Sequence, residues 1–476
     1  MNMEKIIGRQ DEIATLNMLK NSKKSEFVAV YGRRRVGKTF LIRNVFDAPF
    51  SFQLSGVANV GLKQHLTNFH NVYLKLHPNA PEKSAPKDWF DAFNRLSLLL
   101  EQQNTTKKVI FLDELPWLDT PQSKFIAALE YFWNSWASAR TDVLLIVCGS
   151  AASWIINELI NNRGGLHNRL TERILLKPFT LSETETFLKE KGANYDRYQL
   201  LELYMAIGGI PYYLESIQVN RSVAQNIDRL FFTEGGLLAT EYANLYRSLF
   251  NNYEKHTAIV EALSNKAKGL TRKELVALTK LSDGGSMTNL LEELQQSGFI
   301  RRYLPFGNSK KEVLFQLIDP FTLFFLTFVK DSKADTNGSW IAQLDSPKWR
   351  AWSGYAFEYI CRYHVDALKK KLGISGVYAE ISAWRSKKSE KGAQIDLIID
   401  RNDRIINICE MKFSTKAYVI TKEYADNLQN KLMAFRTETG TNKTLFLTMI
   451  TTYGLVQNEY AQRLVNDSMD MTALFD

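Results

Sequence analysis

"FVAVYGRRRVGKT", residues 27–39, decides how the first third of this chain is read. A short apolar, β-branched run ends at a glycine, a loop follows, and a helical pattern begins at Lys38. The loop "GRRRVGKT" has the spacing G-x-x-x-x-G-K-[ST] in the setting that spacing requires, after a strand and before a helix. Such a loop curls its backbone N–H groups around a phosphate at a helix N-terminus. Gly32 and Gly37 permit the tight path, Lys38 reaches the β- and γ-phosphates, and Thr39 ligates Mg²⁺. Arg33, Arg34, Arg35, Val36 and Phe40 complete the candidate cradle. The three arginines either face solvent or pair with phosphate or nucleic acid. An ordinary glycine-containing turn is the competing reading, and strand, loop and helix in register argue against it.

Two further runs build the same sheet. "VIFLDE" (109–114) and "VLLIVCGS" (143–150) are continuous apolar strands, each followed by helical sequence. Repeated βα units of this kind predict a parallel sheet covered on both faces. Asp113 and Glu114 stand at the carboxyl end of the first run, where ligands of open α/β sheets bind. Asp113 is expected to hold the Mg²⁺ through its water shell, and Glu114 to polarise an attacking water. Ser150 closes the second run with a small polar group able to sense the γ-phosphate.

The bulk properties set the frame. The chain has 476 residues, 45% of them hydrophobic and 12% aromatic, enough for about three folded domains. It shows neither a secretory signal nor the long apolar run of a membrane helix. Cys148, Cys361 and Cys409 are scattered among apolar neighbours, as reduced thiols of a cytoplasmic protein are, and not spaced as a disulfide or zinc framework. A net charge of +9 leaves room for an anionic partner without requiring one.

Past Pro178 the sequence becomes helical, interrupted at "GGIPYYLESI" (208–217). Between 251 and 319 it predicts three helices and a strand pair around a Gly-Asn turn, which is a winged-helix pattern. Thr271 and Glu274 form a capping box for the second helix. The third, "SMTNLLEELQQ", is a poor reader of bases: Glu292 and Glu293 repel phosphate, and no Arg or Lys is present to read guanine. Arg301, Arg302, Lys310 and Lys311 on the wing could touch backbone.

The last block contains "AQIDLIIDRNDRIINICEMKF" (393–413), a hairpin whose apolar strands carry Asp396, Glu410 and Lys412 at one end. Side chains alternate along a strand, so Glu410 and Lys412 share a face. Either the three form a structural ion cluster, or they gather at the sheet edge for chemistry. Two neighbouring carboxylates repel, and one ammonium cannot neutralise both, so a divalent ion between Asp396 and Glu410 is expected.

Two resemblances fit these motifs. "IIGRQDEI", "YGRRRVGKT", "FLDELPWL", "CGSAASWI" and "GGIPYYL" together resemble the archaeal-type ATPases, AAA-like P-loop proteins of the signal-transducing (STAND) class, over residues 4–250. The resemblance implies ATP as the nucleotide, packing of Ile7 and Gly8 near adenine, and a lid element at Gly209 and Pro211. Arg169 and Arg173 are candidates for an arginine finger. "GAQIDLII…ICEMKF" is similar to the core of PD-(D/E)xK nucleases over residues 350–450. That similarity implies a Mg²⁺ or Mn²⁺ site from Asp396 and Glu410, catalysis by both with Lys412, Glu358 as a further metal ligand from the preceding helix, and Gln429 as a helper.

The expected architecture is therefore an α/β P-loop domain (1–178), a helical lid (179–250), a winged helix (251–330) and an α/β restriction-endonuclease-like domain (345–476). Expected partners are nucleic acid, DNA first, and further copies of the chain, with no membrane. The rival expectation is a nucleotide-dependent switch or scaffold whose C-terminal domain binds without cutting.

Overall fold

The computed structural model describes residues 5–46, 49–161, 164–166, 168–308, 312–332, 340–386 and 392–476. The chain divides into two compact units, Met1–Pro178 and Phe179–Asp476. Lys310 and Lys311 lie outside the described residues.

In the first unit the three expected strands are β1 (Glu26–Tyr31), β3 (Lys108–Asp113) and β4 (Val143–Gly149). Two more, β2 (Phe52–Ser55) and β5 (Glu172–Leu175), are too short and polar to stand out in sequence. All five are parallel, in the order β2-β3-β4-β1-β5. β3 and β4 are buried along their whole length, as strands covered on both faces must be. The register aligns Tyr31 with Gly149 and Ser55 with Asp113. The phosphate loop, the acidic pair and Ser150 therefore emerge at one edge of the sheet. Phe27, Phe69, Trp89, Phe125 and Trp133 pack into the core beneath that edge.

The second unit opens with helices Leu181–Glu190, Arg197–Ile207 and Pro211–Glu215. Gly209 is set by packing: a Cβ there would lie 2.0 Å from the Phe179 carbonyl oxygen, and the Gly209 carbonyl accepts the Phe179 N–H at 2.7 Å. The helix Pro320–Phe324 packs on helix Arg197–Ile207, more than a hundred residues upstream. Its Phe324 ring also meets Phe231, Trp340 and Trp352, at centroid distances of 4.8, 4.9 and 5.4 Å.

Helices Tyr253–Ser264, Arg272–Thr279 and Gly285–Gln296 accompany strands β6 (Leu270–Thr271), β7 (Ile300–Tyr303) and β8 (Leu314–Leu317). The strands form an antiparallel sheet in the order β6-β8-β7. The Thr271–Glu274 capping box is present.

The last sheet holds β9 (Ala379–Arg385), β10 (Gln394–Arg401), β11 (Ile405–Lys412), β12 (Thr444–Thr451) and β13 (Asp467–Met469). β9, β10 and β11 are antiparallel neighbours, whereas β12 and β13 add in parallel. Extending the pairing of Leu397 with Cys409 by one residue sets Asp396 opposite Glu410. The register with β9 shifts between Ile395 and Ile398, and such an irregularity re-aims the side chains around it. The helix Lys422–Thr439 covers one face through Ala425, Leu428 and Phe435. The helix Pro347–Tyr363 packs on β11.

Candidate functional site

The phosphate loop closes on itself. Gly32, at φ +141°, leaves no room for a side chain, since a Cβ would meet the Leu176 carbonyl oxygen at 2.3 Å. Gly37, at φ +92°, caps the helix Lys38–Val45. Lys38 is buried, and its ammonium donates to the carbonyls of Gly32 (2.9 Å) and Arg33 (3.0 Å). Burial pulls its pKa below the usual lysine value, with Cys148, Glu114 and Asp113 opposing. Arg33 is buried, and Arg34 and Arg35 are half-buried, so the three do not share one solvated face. Phe40 is exposed. Arg9, which sequence reasoning passed over, reaches in from the opening segment and donates to the Val36 carbonyl at 3.4 Å.

The acids meet the loop. The Thr39 hydroxyl lies 3.1 Å from both carboxylate oxygens of the buried Asp113. Asp113 also accepts from the Cys148 thiol at 2.6 Å and from the Glu114 N–H at 3.0 Å. Burial and the adjacent carboxylate hold that thiol protonated, its pKa far above the ordinary range. Asp113 presents carboxylate oxygens beside the Thr39 hydroxyl at the mouth of the phosphate loop, so Thr39 and Asp113 fit a Mg²⁺ ion. Bound there, the ion would screen the phosphate charge.

Glu114 has φ 47°, a left-handed conformation that costs a non-glycine residue on the order of 1 kcal/mol or more and is concentrated at functional positions. Its carboxylate accepts from the Ser150 hydroxyl at 3.0 Å and the Ser150 N–H at 3.3 Å. The residue expected to handle water and the residue expected to sense phosphate are thus bonded to each other. Arg169 and Arg173 are both exposed; Arg173 lies in β5, and Arg169 donates to the Gly165 carbonyl at 3.4 Å.

Residues 6–217 match an ATPase domain predominantly from Archaea. They carry an archaeal-type ATPase domain. An uncharacterized protein of Methanocaldococcus jannaschii is 24% identical over 426 residues, covering 88% of this chain and 90% of that one. A Walker-type ATPase of Pyrococcus abyssi is 17% identical, with 67% of this chain and 96% of that chain covered at a TM-score of 0.49. The ORC2 protein of Aeropyrum pernix is 15% identical, with 68% and 93% covered at a TM-score of 0.40.

The ATPase domain lies upstream of a second cluster, in the other unit. A cavity of 650 Å³ is lined by Glu358, Asp396, Glu410 and Lys412, the four residues singled out in the C-terminal block. Glu410 is buried. It accepts from the Tyr424 hydroxyl at 2.7 Å and the Lys431 ammonium at 2.8 Å, with Lys412 at 3.3 Å. Burial alone would raise its pKa; Lys431 and Lys412 more than offset that and hold the carboxyl below its ordinary range. The Asp396 carboxylate accepts from the Gln394 amide. Burial, and then the Asp396 charge, push Glu358 up to about 8, against the opposing pull of Arg362.

This arrangement corrects one expectation. The single-ammonium premise fails, because Lys431 is a second cation on Glu410. It comes from the helix after the hairpin, where Gln429 had been the expected helper. Among the described residues, no three His, Cys, Asp or Glu groups stand close enough to hold a metal ion. Lys431 was legible only as one lysine in an amphipathic helix, nineteen residues beyond Lys412 in a polar stretch with several others.

Proposed function

We propose that this chain is an ATP-driven switch in which the state of the nucleotide site sets the access of nucleic acid, DNA first, to the C-terminal cavity. ATP binding and hydrolysis follow from the archaeal-type ATPase domain. The observation that supports the rest is the meeting of Glu358, Asp396, Glu410 and Lys412 in one cavity, drawn from a helix and two strands. In this reading residues 179–250 are the lid, 251–330 a winged helix serving as an internal hinge, and 345–476 a PD-(D/E)xK-like module. In the same reading Gly209 and Pro211 are the lid residues that respond to nucleotide.

At the nucleotide site Lys38 stabilises phosphate charge, and Thr39 and Asp113 hold Mg²⁺. Glu114 exchanges its Ser150 partner for the attacking water once a γ-phosphate engages Ser150. Within the second unit, helix Arg197–Ile207 offers a mechanical route to the C-terminal cavity. Its Tyr198 ring stacks on Phe413, next to Lys412, at 5.4 Å, and its C-terminal end runs into Gly208 and Gly209.

A specific observation favours binding without cutting. Glu410 is engaged by two ammonium groups and a phenol, a set that neutralises the carboxylate without metal. Incubating the purified chain with labelled DNA and RNA, with and without ATP, in Mg²⁺ or Mn²⁺, separates the two. Products that vanish in Asp396→Ala and Glu410→Ala establish cleavage. Nucleotide-dependent binding with intact strands establishes the switch.

A further inference from the structure

The cavity that holds Asp396, Glu410 and Lys412 is not built by the C-terminal residues alone. Arg301 and Tyr303 of β7 line it as well, together with Arg362 of the helix Pro347–Tyr363. The stretch that follows β7 is pinned to the C-terminal sheet. The Phe306 N–H donates to the Ala383 carbonyl at 2.7 Å, and the Phe306 ring meets Phe435 at 5.2 Å. Arg301 is held at a fixed place: its Nε donates to the Gln316 amide oxygen at 2.7 Å, and its guanidinium lies 4.4 Å from the centre of the Tyr303 ring. Gln316 is oriented in turn by donating to the Ala267 carbonyl and, at 3.2 Å, to the Tyr355 hydroxyl.

Arg362 is only half satisfied. One terminal nitrogen donates to the Asp396 backbone carbonyl at 3.3 Å, while its Nε and the other terminal nitrogen are buried without a hydrogen-bond partner among the described residues. Buried donors left unpaired are costly, on the order of 1–3 kcal/mol each, and more when charged. The neighbouring positive charge adds to this. After burial, the charge of Arg362 is the largest influence lowering the Arg301 pKa, to about 10. Of the carboxylates in the same cavity, Glu410 is engaged by Lys412 and Lys431 and Asp396 by Gln394, while Glu358 feels the Arg362 charge. Two guanidinium groups lining one cavity, with donors of Arg362 to spare, suit an oxyanion such as a phosphate, which can accept from both.

We propose that Arg301 and Arg362 form a phosphate clamp, composite between the 253–317 module and the C-terminal module, that holds a backbone phosphate of a DNA strand beside the Asp396–Glu410–Lys412 edge. The clamp rests on the reading of this cavity as a nucleic-acid site. It also gives the winged-helix stretch a role that its acidic third helix does not, because the stretch contributes through β7 and not through a recognition helix.

The test uses the full chain and a fluorescein-labelled 20-nucleotide single strand, as DNA and as RNA, in EDTA, with anisotropy read across a salt series. Arg301→Gln and Arg362→Gln should each weaken binding roughly tenfold and lower the salt slope by about 0.7, the share of one phosphate contact on a single strand. Arg301→Lys, which keeps the charge but loses the fork, should fall between. Thermal unfolding of each variant at the wild-type temperature certifies its fold. Wild-type affinity and slope in Arg301→Gln would overturn the clamp. If DNA is cut in Mn²⁺ while both arginine variants bind and cut normally, the clamp fails and the cavity reading stands. If nothing is cut but the arginine variants lose affinity, the clamp stands and cleavage falls. No binding of either strand by the wild-type chain removes both.

Discussion

Protonating His364 should loosen the joint between the helix Leu181–Glu190 and the helix Pro347–Tyr363. His364 ends the helix Pro347–Tyr363 and is buried. Its Nε2 accepts the Leu181 N–H at 2.9 Å, one of the donors that a helix start leaves unpaired, and its Nδ1 faces the Ile360 carbonyl at 2.9 Å. That pattern requires the neutral ring with its proton on Nδ1. Burial lowers the pKa to about 4. A base whose folded pKa is depressed contributes stability that is present above the unfolded value and lost as pH falls. Taking about 6.5 for the unfolded chain, the window runs from about pH 6.5 down to about 4. At pH 5 the unfolded imidazole is charged and the folded one is not, which costs about 2 kcal/mol relative to pH 7. Carboxylates add their own acid dependence, so the readout is a difference between proteins. His364→Gln keeps an acceptor for Leu181 and removes the titration. Urea unfolding of both chains at pH 7 and pH 5, with hydrogen exchange at the Leu181 peptide, should show the wild type losing about 2 kcal/mol more than the variant. Equal losses would refute the reasoning.

Lys38→Ala should abolish ATP turnover and weaken nucleotide binding at least about tenfold, read by titration with a fluorescent ATP analogue. Glu114→Gln should keep ATP bound while hydrolysis falls about a hundredfold or more, and unchanged turnover would remove Glu114 from the chemistry. Gly209→Ala drives a Cβ into the Phe179 carbonyl oxygen, 2.0 Å away, and should destabilise the second unit by more than about 2 kcal/mol in thermal unfolding. Lys431→Met removes one of the two ammonium groups on Glu410. Calorimetry with Mn²⁺ should then show binding at least about tenfold tighter than in the wild type, if Glu410 is a metal ligand held in reserve. No binding in either protein would leave Glu410 a structural ion pair.

The parts of the fold that were legible are those where burial or spacing leaves one solution. β3 and β4 are apolar from end to end because both faces are covered, and the phosphate loop needs its glycines at Gly32 and Gly37 for reasons of backbone alone. β2 and β5, with four residues each, carry no such signature and are fixed by their neighbours in the sheet. The helix Pro320–Phe324 was not legible, because its rings are chosen by partners far upstream, Phe231 among them. The same limit governs the sites. Asp396, Glu410 and Lys412 announce themselves through charge on apolar strands. Tyr424, Lys431 and Arg362 are ordinary residues of amphipathic helices until the fold turns them inward.

Helix Arg197–Ile207 brings these threads together in the second unit. Tyr198, at its start, stacks on Phe413 and on Tyr453 at 5.4 and 5.6 Å, and Tyr204, near its end, meets the His364 ring at 5.6 Å. The Tyr204 hydroxyl also donates to the Phe179 carbonyl, whose oxygen is the atom that forbids a side chain at Gly209. A displacement at Gly209 therefore reaches Phe179, Tyr204 and His364 through direct contacts, and Phe413 through a rigid helix of eleven residues. Contiguity alone does not establish coupling; a shared energetic term does. If this helix carries the nucleotide signal, Tyr198→Ala should leave ATP turnover unchanged while abolishing the effect of ATP on DNA binding. Combined with Lys412→Ala it should give a non-additive change of at least about 0.5 kcal/mol in DNA affinity. Additive effects, with the ATP response intact in Tyr198→Ala, would place the route elsewhere in the unit.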